Sequence, residues 1–169
     1  MIKVWDPLVR ILHWSLVLGI VAAWLTRQGA RDAHELIGYA VLGVVILRIL
    51  WGFSGTQYAQ FSQFVASPVS TLKYLKQILA GTEERHVGHN PLGGWMTVAL
   101  LATIALVSLS GWLYTTDEFW GVEWVAELHE VLTYFLFVLV ALHLAGVAFT
   151  SYRQRENLVA AMLHGRKRT

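Results

Sequence analysis

The sequence predicts an all-α integral membrane protein, a four-helix bundle with short interfacial helices, and three observations carry that expectation. Of 169 residues, 56% are hydrophobic and only 14% charged, far from the balance of a soluble domain. Four stretches, approximately 8–26, 34–53, 92–114 and 129–150, are long enough to cross a hydrocarbon core of about 30 Å, which takes about 20 apolar residues as helix. These stretches are apolar almost all round, whereas the helices of a water-soluble bundle need a polar outer face. Helices satisfy their own backbone groups in lipid without closing a barrel. The whole chain, 1–169, reads as a single domain.

The first span, 8–26, holds "RILHW", with Arg10 and His13. It superficially resembles a signal peptide, but its apolar stretch is long, and it is read as retained. The second span, 34–53, begins with "HELIGY", has Arg31 just before it and carries Arg48 toward its end. The 54–91 connection contains a helix signal of its own: Ser67 as N-cap, Pro68 at the first helical position, an apolar face of Val69, Leu72, Leu75 and Ile78, and Gly81 as the stop. With Lys73 and Lys76 it reads as a helix lying on the inner membrane surface.

Asn90 and Pro91 supply the cap and first position of the third span, 92–114, which has no histidine. The next connection, 115–128, is acidic, with Asp117, Glu118, Glu123 and Glu127 and no Lys or Arg, while Trp112, Trp120 and Trp124 fit an interfacial aromatic belt. It reads either as a solvated loop or as a docking surface for a positively charged partner. The fourth span, 129–150, opens with "HEVLTY" and contains His143 in "HLAG". In the tail, Leu158, Val159, Met162 and Leu163 before "GRKR" predict a second short interfacial helix, its basic end near anionic lipid headgroups.

Basic residues orient the chain. Lys3, Arg10, Arg48, Lys73, Lys76, Arg85, Arg153, Arg155, Arg166, Lys167 and Arg168 fall on one side, and only Arg27 and Arg31 on the other. Both termini are therefore expected in the cytoplasm. The absence of cysteine excludes disulfides, thiolate metal sites and the C-x-x-C-H attachment of a covalently bound haem. No nucleic-acid partner is expected.

The histidines of the spans repay a geometric reading. His129 and His143 are fourteen residues apart, which along an α-helix is about 21 Å of rise and about 40° short of four full turns. One helix thus offers two imidazoles on much the same side at two depths. From the inner surface, His13 and His143 lie at matching depths of roughly 8 and 10 Å, and His34 and His129 both open spans at the outer side. The four resolve into two pairs, His13 with His143 and His34 with His129. Paired imidazoles inside a helical bundle are what a noncovalently held haem needs, one on each side of its iron, so two stacked b-type haems are expected.

Further residues fit the same scheme. The fourteen-residue step from His34 to Arg48 puts Arg48 on the histidine-bearing face at the inner haem's level, where a haem propionate would be a partner; snorkelling to the inner headgroups is the other reading. "RILH" and "RDAH" each place an arginine, Arg10 and Arg31, one turn nearer the surface than a histidine, suited to propionates at either end. Gly38 and Gly146 lie on the histidine faces, where a missing side chain admits a flat macrocycle or a neighbouring helix. His86, His89 and His164 fall in surface segments where solvation is the default, although "GHNPLGG" around His89 is also a place for a quinone head group.

These residues resemble the bacterial cytochrome b561 group together with the b-type cytochrome subunits of nickel-iron hydrogenases. The resemblance rests on "RILHW", "HELIG" with Arg48, "GHNPLGG", "HEVL", "HLAG" and "ENLVAAMLHGRKR", and covers nearly the whole chain. It implies a four-helix bundle of the bacterial inner membrane with two b haems, the inner held by spans one and four, the outer by spans two and four. It also implies electron exchange between the quinone pool, ubiquinone or menaquinone, and a redox partner. The first functional expectation is electron transfer between quinol and a periplasmic cytochrome c or similar protein at the acidic loop. The alternatives are a superoxide:quinone oxidoreductase, an enzyme that an acidic outer face would serve poorly, and the membrane anchor of a hydrogenase-like complex.

Overall fold

The computed structural model describes residues 1–168. In chain order the elements are β1 (Ile2–Lys3), α1 (Pro7–Thr26), α2 (Arg31–Ser54), a 3-10 turn (Gln57–Ala59), α3 (Phe61–Phe64), α4 (Pro68–Ala80), α5 (Pro91–Tyr114), α6 (Glu123–Gln154), α7 (Leu158–His164) and β2 (Arg166–Lys167). Four of them, α1, α2, α5 and α6, are long and apolar enough to cross a membrane. The all-α membrane bundle is thus observed. The helices outrun the apolar stretches, α6 most of all with 32 residues, because backbone hydrogen bonding continues beyond the hydrophobic slab that the side chains record.

Local chemistry sets the helix starts. Asn90 accepts from Gly93 N at 2.7 Å ahead of Pro91, and Ser67 accepts from Ser70 N at 3.2 Å ahead of Pro68, as their sequence positions require. Asp6, ahead of Pro7, does the same for α1 by accepting from Val9 N at 2.9 Å.

α1 packs along α2, α2 along α5 and α5 along α6; among the described residues α6 has no comparable backbone contact with α1 or α2. α6 meets the first two helices through long side chains, Trp24 against Phe137 at 4.7 Å and His34 against His129 at 6.2 Å. Leu16, Val41, Val45, Leu101, Ile104 and Leu136 form the buried middle. In lipid this packing is held by van der Waals contact rather than water exclusion. Leu18, Val21, Leu47, Leu50, Val138 and Leu142 point outward, as lipid-facing positions should.

The two connections at 27–30 and 115–122 define a hairpin end; the other, the terminal end, is closed by a clasp. There β1 pairs antiparallel with β2, Ile2 opposite Lys167 and Lys3 opposite Arg166. Val4 N and Trp5 N both donate to Gly165 O, at 2.9 and 3.1 Å. Gly165 has φ 80°, and a Cβ on it would stand 2.5 Å from Trp5 O, so the turn requires glycine. Beneath the clasp, Asp6 also accepts from Thr56 Oγ1 at 2.5 Å and Trp51 Nε1 at 3.2 Å. Burial alone would raise the Asp6 carboxyl, but the bonds from Thr56, Val9, Trp51 and Leu8 hold it below its ordinary value.

The tail helix forms where its apolar residues predict it. It is α7, capped by Asn157, and the basic run after it turns back as β2 to pair with β1. Lys167 is only 6% exposed. Pairing with β1 satisfies the strand's backbone, and the nearby Glu156 carboxylate offsets part of the cost of burying the ammonium.

Candidate functional site

At the hairpin end, His34 in the first turn of α2 meets His129 of α6. Their ring centroids are 6.2 Å apart and the planes nearly perpendicular at 84°. His34 Nδ1 lies 2.8 Å from Ala23 O of α1. His129 Nδ1 lies 3.0 Å from Val107 O and 3.1 Å from Ser110 Oγ, both of α5. Because Ser110 gives its own proton to Val107 O, its oxygen accepts from the ring. Carbonyl partners require a proton on each Nδ1, which leaves both Nε2 atoms with a free lone pair. Gly111 makes room for this arrangement, since a Cβ there would stand 3.0 Å from His129 Cε1.

At the terminal end, His13 of α1 and His143 of α6 lie within electrostatic reach of each other. His13 Nδ1 is buried without a hydrogen-bond partner, and the ring meets Trp14 edge-on at 5.2 Å. Arg48 stands close by and does not snorkel: it is 6% exposed, with Nη2 donating to Ala59 O at 3.3 Å. The 3-10 turn and α3 cover its head, with the Phe61 ring 5.5 Å from Cζ. Its Nη1 is buried and unpaired.

His89 is the chief correction to the sequence reading, which put it in a solvated segment. The ring sits between Trp5, at 4.7 Å, and Phe64, at 4.5 Å, and its Nδ1 is sealed without a partner. Burial first, then the charges of Arg48 and Lys167 with the neighbouring His143 and His13, push this imidazole down to about 3, so it is neutral at pH 7. His89, Arg48 and Lys167 thus share one neighbourhood with the His13 and His143 rings. Arg10 stands beside the clasp, Nη1 donating to Leu163 O and Nε buried without a partner.

The remaining sequence-derived positions are dispersed. Arg31 lies 3.8 Å above the Trp120 ring. A Cβ on Gly38 or Gly146 would meet nothing within 4 Å, so open space lies before both. His86, half-buried, has Nδ1 3.0 Å from Glu84 O and its ring edge-on to Tyr74 at 5.1 Å, while His164, exposed as expected, accepts at Nδ1 from Arg166 N at 3.1 Å. Asp117, Glu118, Glu123 and Glu127 are all exposed. Sequence reasoning missed Ala23, Val107, Ser110 and Gly111; the only signal was a pair of small residues, Ser110 and Gly111, in a span without histidine.

The model of the family described as prokaryotic cytochrome b561 matches residues 4–165, almost the entire chain. The chain belongs to this family. A protein of Azotobacter vinelandii described as "Probable Ni/Fe-hydrogenase B-type cytochrome subunit" is 24% identical over 213 residues, covering 97% of this chain and 87% of the relative. A protein of Bradyrhizobium diazoefficiens with the same description is 24% identical over 215 residues, covering 98% and 85%. No solved structure matches the chain. As a member of the cytochrome b561 family, it is a bacterial membrane protein that transfers electrons by means of b-type haem.

Proposed function

We propose that this cytochrome carries electrons across the bilayer through two b haems, one held by His34 and His129 and the other by His13 and His143, in one domain spanning the chain. The observation that carries the reading is the hairpin-end pair, 6.2 Å between centroids with each Nδ1 tied to a carbonyl. Metal–imidazole bonds run about 2.0–2.1 Å, so two imidazoles sharing one metal stand with centroids about 6 Å apart. Histidines that ligate metals donate their other N–H to just such a partner. The wider backbone separation of α6 from the first two helices, and the free space before Gly38 and Gly146, suit a broad flat group. When bound, a haem with two histidine ligands supplies a one-electron iron couple with no open coordination position. The residues hold and orient; Arg48 and Arg10 offer unpaired donors to propionates at the terminal end, and Arg31, one turn before His34, adds positive charge at the other.

The bias of Lys and Arg supports an inner-membrane protein with the terminal end in the cytoplasm. There, the "GHNPLGG" segment beside the His13–His143 pair suits exchange with quinol or quinone. At the hairpin end the exposed Asp117, Glu118, Glu123 and Glu127 suit a basic redox partner such as a c-type cytochrome. The relatives described as hydrogenase cytochrome subunits support a role within a redox complex. Superoxide oxidation fits less well, because the cations of that end, Arg27 and Arg31, lie over the Trp24 and Trp120 rings amid exposed carboxylates.

A redox-titrated visible spectrum with pyridine haemochrome quantification tests this. Two haems b per chain are expected, with His143→Ala losing the terminal-end haem and His34→Ala the hairpin-end one. Equal haem content in both variants and the parent protein contradicts the pairing.

A further inference from the structure

The terminal end holds more positive and donating groups than its own acceptors satisfy. Arg48 Nη1 and Arg10 Nε are buried donors without an acceptor, and His89 Nδ1 is buried without a partner, an arrangement that costs stability unless one arrives. Lys167 joins them from β2, separated in sequence from every other member. Its Nζ is 3.4 Å from Gly88 O, next to His89, and 5.6 Å from the centroid of the Trp5 ring that packs on His89. A lysine ammonium has three donors, and this long contact occupies one. The carboxylates at hand are committed elsewhere: Asp6 accepts from Val9, Thr56 and Trp51, while Glu156 accepts from Arg168 N at 2.6 Å and Arg85 Nη2 at 3.1 Å.

We propose that Lys167 is a positioning residue of the terminal-end haem, its ammonium joining Arg48 and the His89 ring in receiving a propionate carboxylate as the β1–β2 clasp closes that pocket. The inference rests on the reading of His13 and His143 as ligands. Charge-assisted bonds to a carboxylate are among the stronger hydrogen bonds available. A cation fixed beside a haem also favours the reduced iron, which carries one positive charge fewer. The hairpin end has a different makeup, with Arg31 exposed on a Trp ring. Lys167 is therefore expected to influence one haem and not the other.

The test uses the full-length protein in detergent, with midpoints resolved by redox titration and assigned through the His143→Ala and His34→Ala variants. Lys167→Met keeps the side-chain stem and removes the charge; Lys167→Arg keeps the charge. The expected result is a lower midpoint for the terminal-end haem in Lys167→Met, an unmoved midpoint for the other, and recovery in Lys167→Arg. Unchanged midpoints in Lys167→Met, or an equal shift of both, overturn the role of Lys167. A second measurement does not depend on that variant folding: trypsin should cut within 166–168 several-fold faster in His143→Ala than in His34→Ala, and equal rates overturn the coupling of clasp to haem. If His143→Ala keeps both haems, the ligand assignment itself fails, whatever the lysine variants do.

Discussion

At the hairpin end the rings of His34 and His129 are held by backbone carbonyls of α1 and α5, at 2.8 and 3.0 Å. At the terminal end His13 Nδ1 has no such bond, and what surrounds the pair is an enclosure: Arg48, His89 and Lys167 sealed under Trp5, Phe64 and the paired strands. One pair is oriented by hydrogen bonds that fix its tautomer, the other by a charged wall assembled from distant parts of the chain. The difference teaches that two imidazole pairs on a shared helix need not share sensitivities. The hairpin end should respond to small steric changes on α5, the terminal end to changes of charge and to loosening of the clasp.

The largest effect is expected from Gly111→Val. Its Cβ would begin 3.0 Å from His129 Cε1, with two methyl groups beyond, so the ring must leave its place between Val107 and α2. Haemochrome quantification should show loss of most of the hairpin-end haem and retention of the other; full content of both would mean that His129 is insensitive to bulk on α5.

Asp6→Ala strikes the opposite end. An N-cap replacement costs about 1 kcal/mol, and releasing the Thr56 and Trp51 bonds brings the total to about 2 kcal/mol. Thermal unfolding in detergent should show this loss with the hairpin-end haem signature intact at room temperature. The pH dependence has a definite sign. The Asp6 carboxyl is held below its unfolded value, so its contribution is complete above the unfolded pKa of about 3.9 and is lost as pH falls through the lower folded value. The protection of the Val4 and Trp5 amides against hydrogen exchange, taken relative to the free-peptide rate at each pH, should fall across that acid window in the parent protein, and Asp6→Ala should flatten the dependence.

Ser110→Ala is expected to be the mildest. It removes one partner of His129 Nδ1 while Val107 O remains, so haem retention should fall by roughly tenfold, the lower figure for lost outer-shell partners. Transfer of haem to an excess of apomyoglobin measures it, and the terminal-end haem should dissociate at the parental rate.

The spans were legible because apolar length is written locally, and the caps at Ser67 and Asn90 because each needs only a side chain three residues from its amide. The level shared by His34 and His129 followed from each opening a span at the same side. The partners of those rings were hidden, since a backbone carbonyl such as Ala23 O or Val107 O has no residue type to announce it. His89 and Lys167 were misplaced for another reason. Local composition around each is polar and basic, while their enclosure depends on Trp5, Phe64 and β1, residues brought over by the chain's return to its own beginning. Arg48 stood between two readings until the turn at Gln57–Ala59 and α3 were seen to cover it.

That return has a bearing on biogenesis. β1 emerges early in synthesis and β2 only after all four spans, so the antiparallel pairing of Ile2 with Lys167 and Lys3 with Arg166 must await insertion of the last span. Until then β1 has no strand to pair with, and a prosthetic group delivered during membrane integration would meet that end of the bundle before the two strands join.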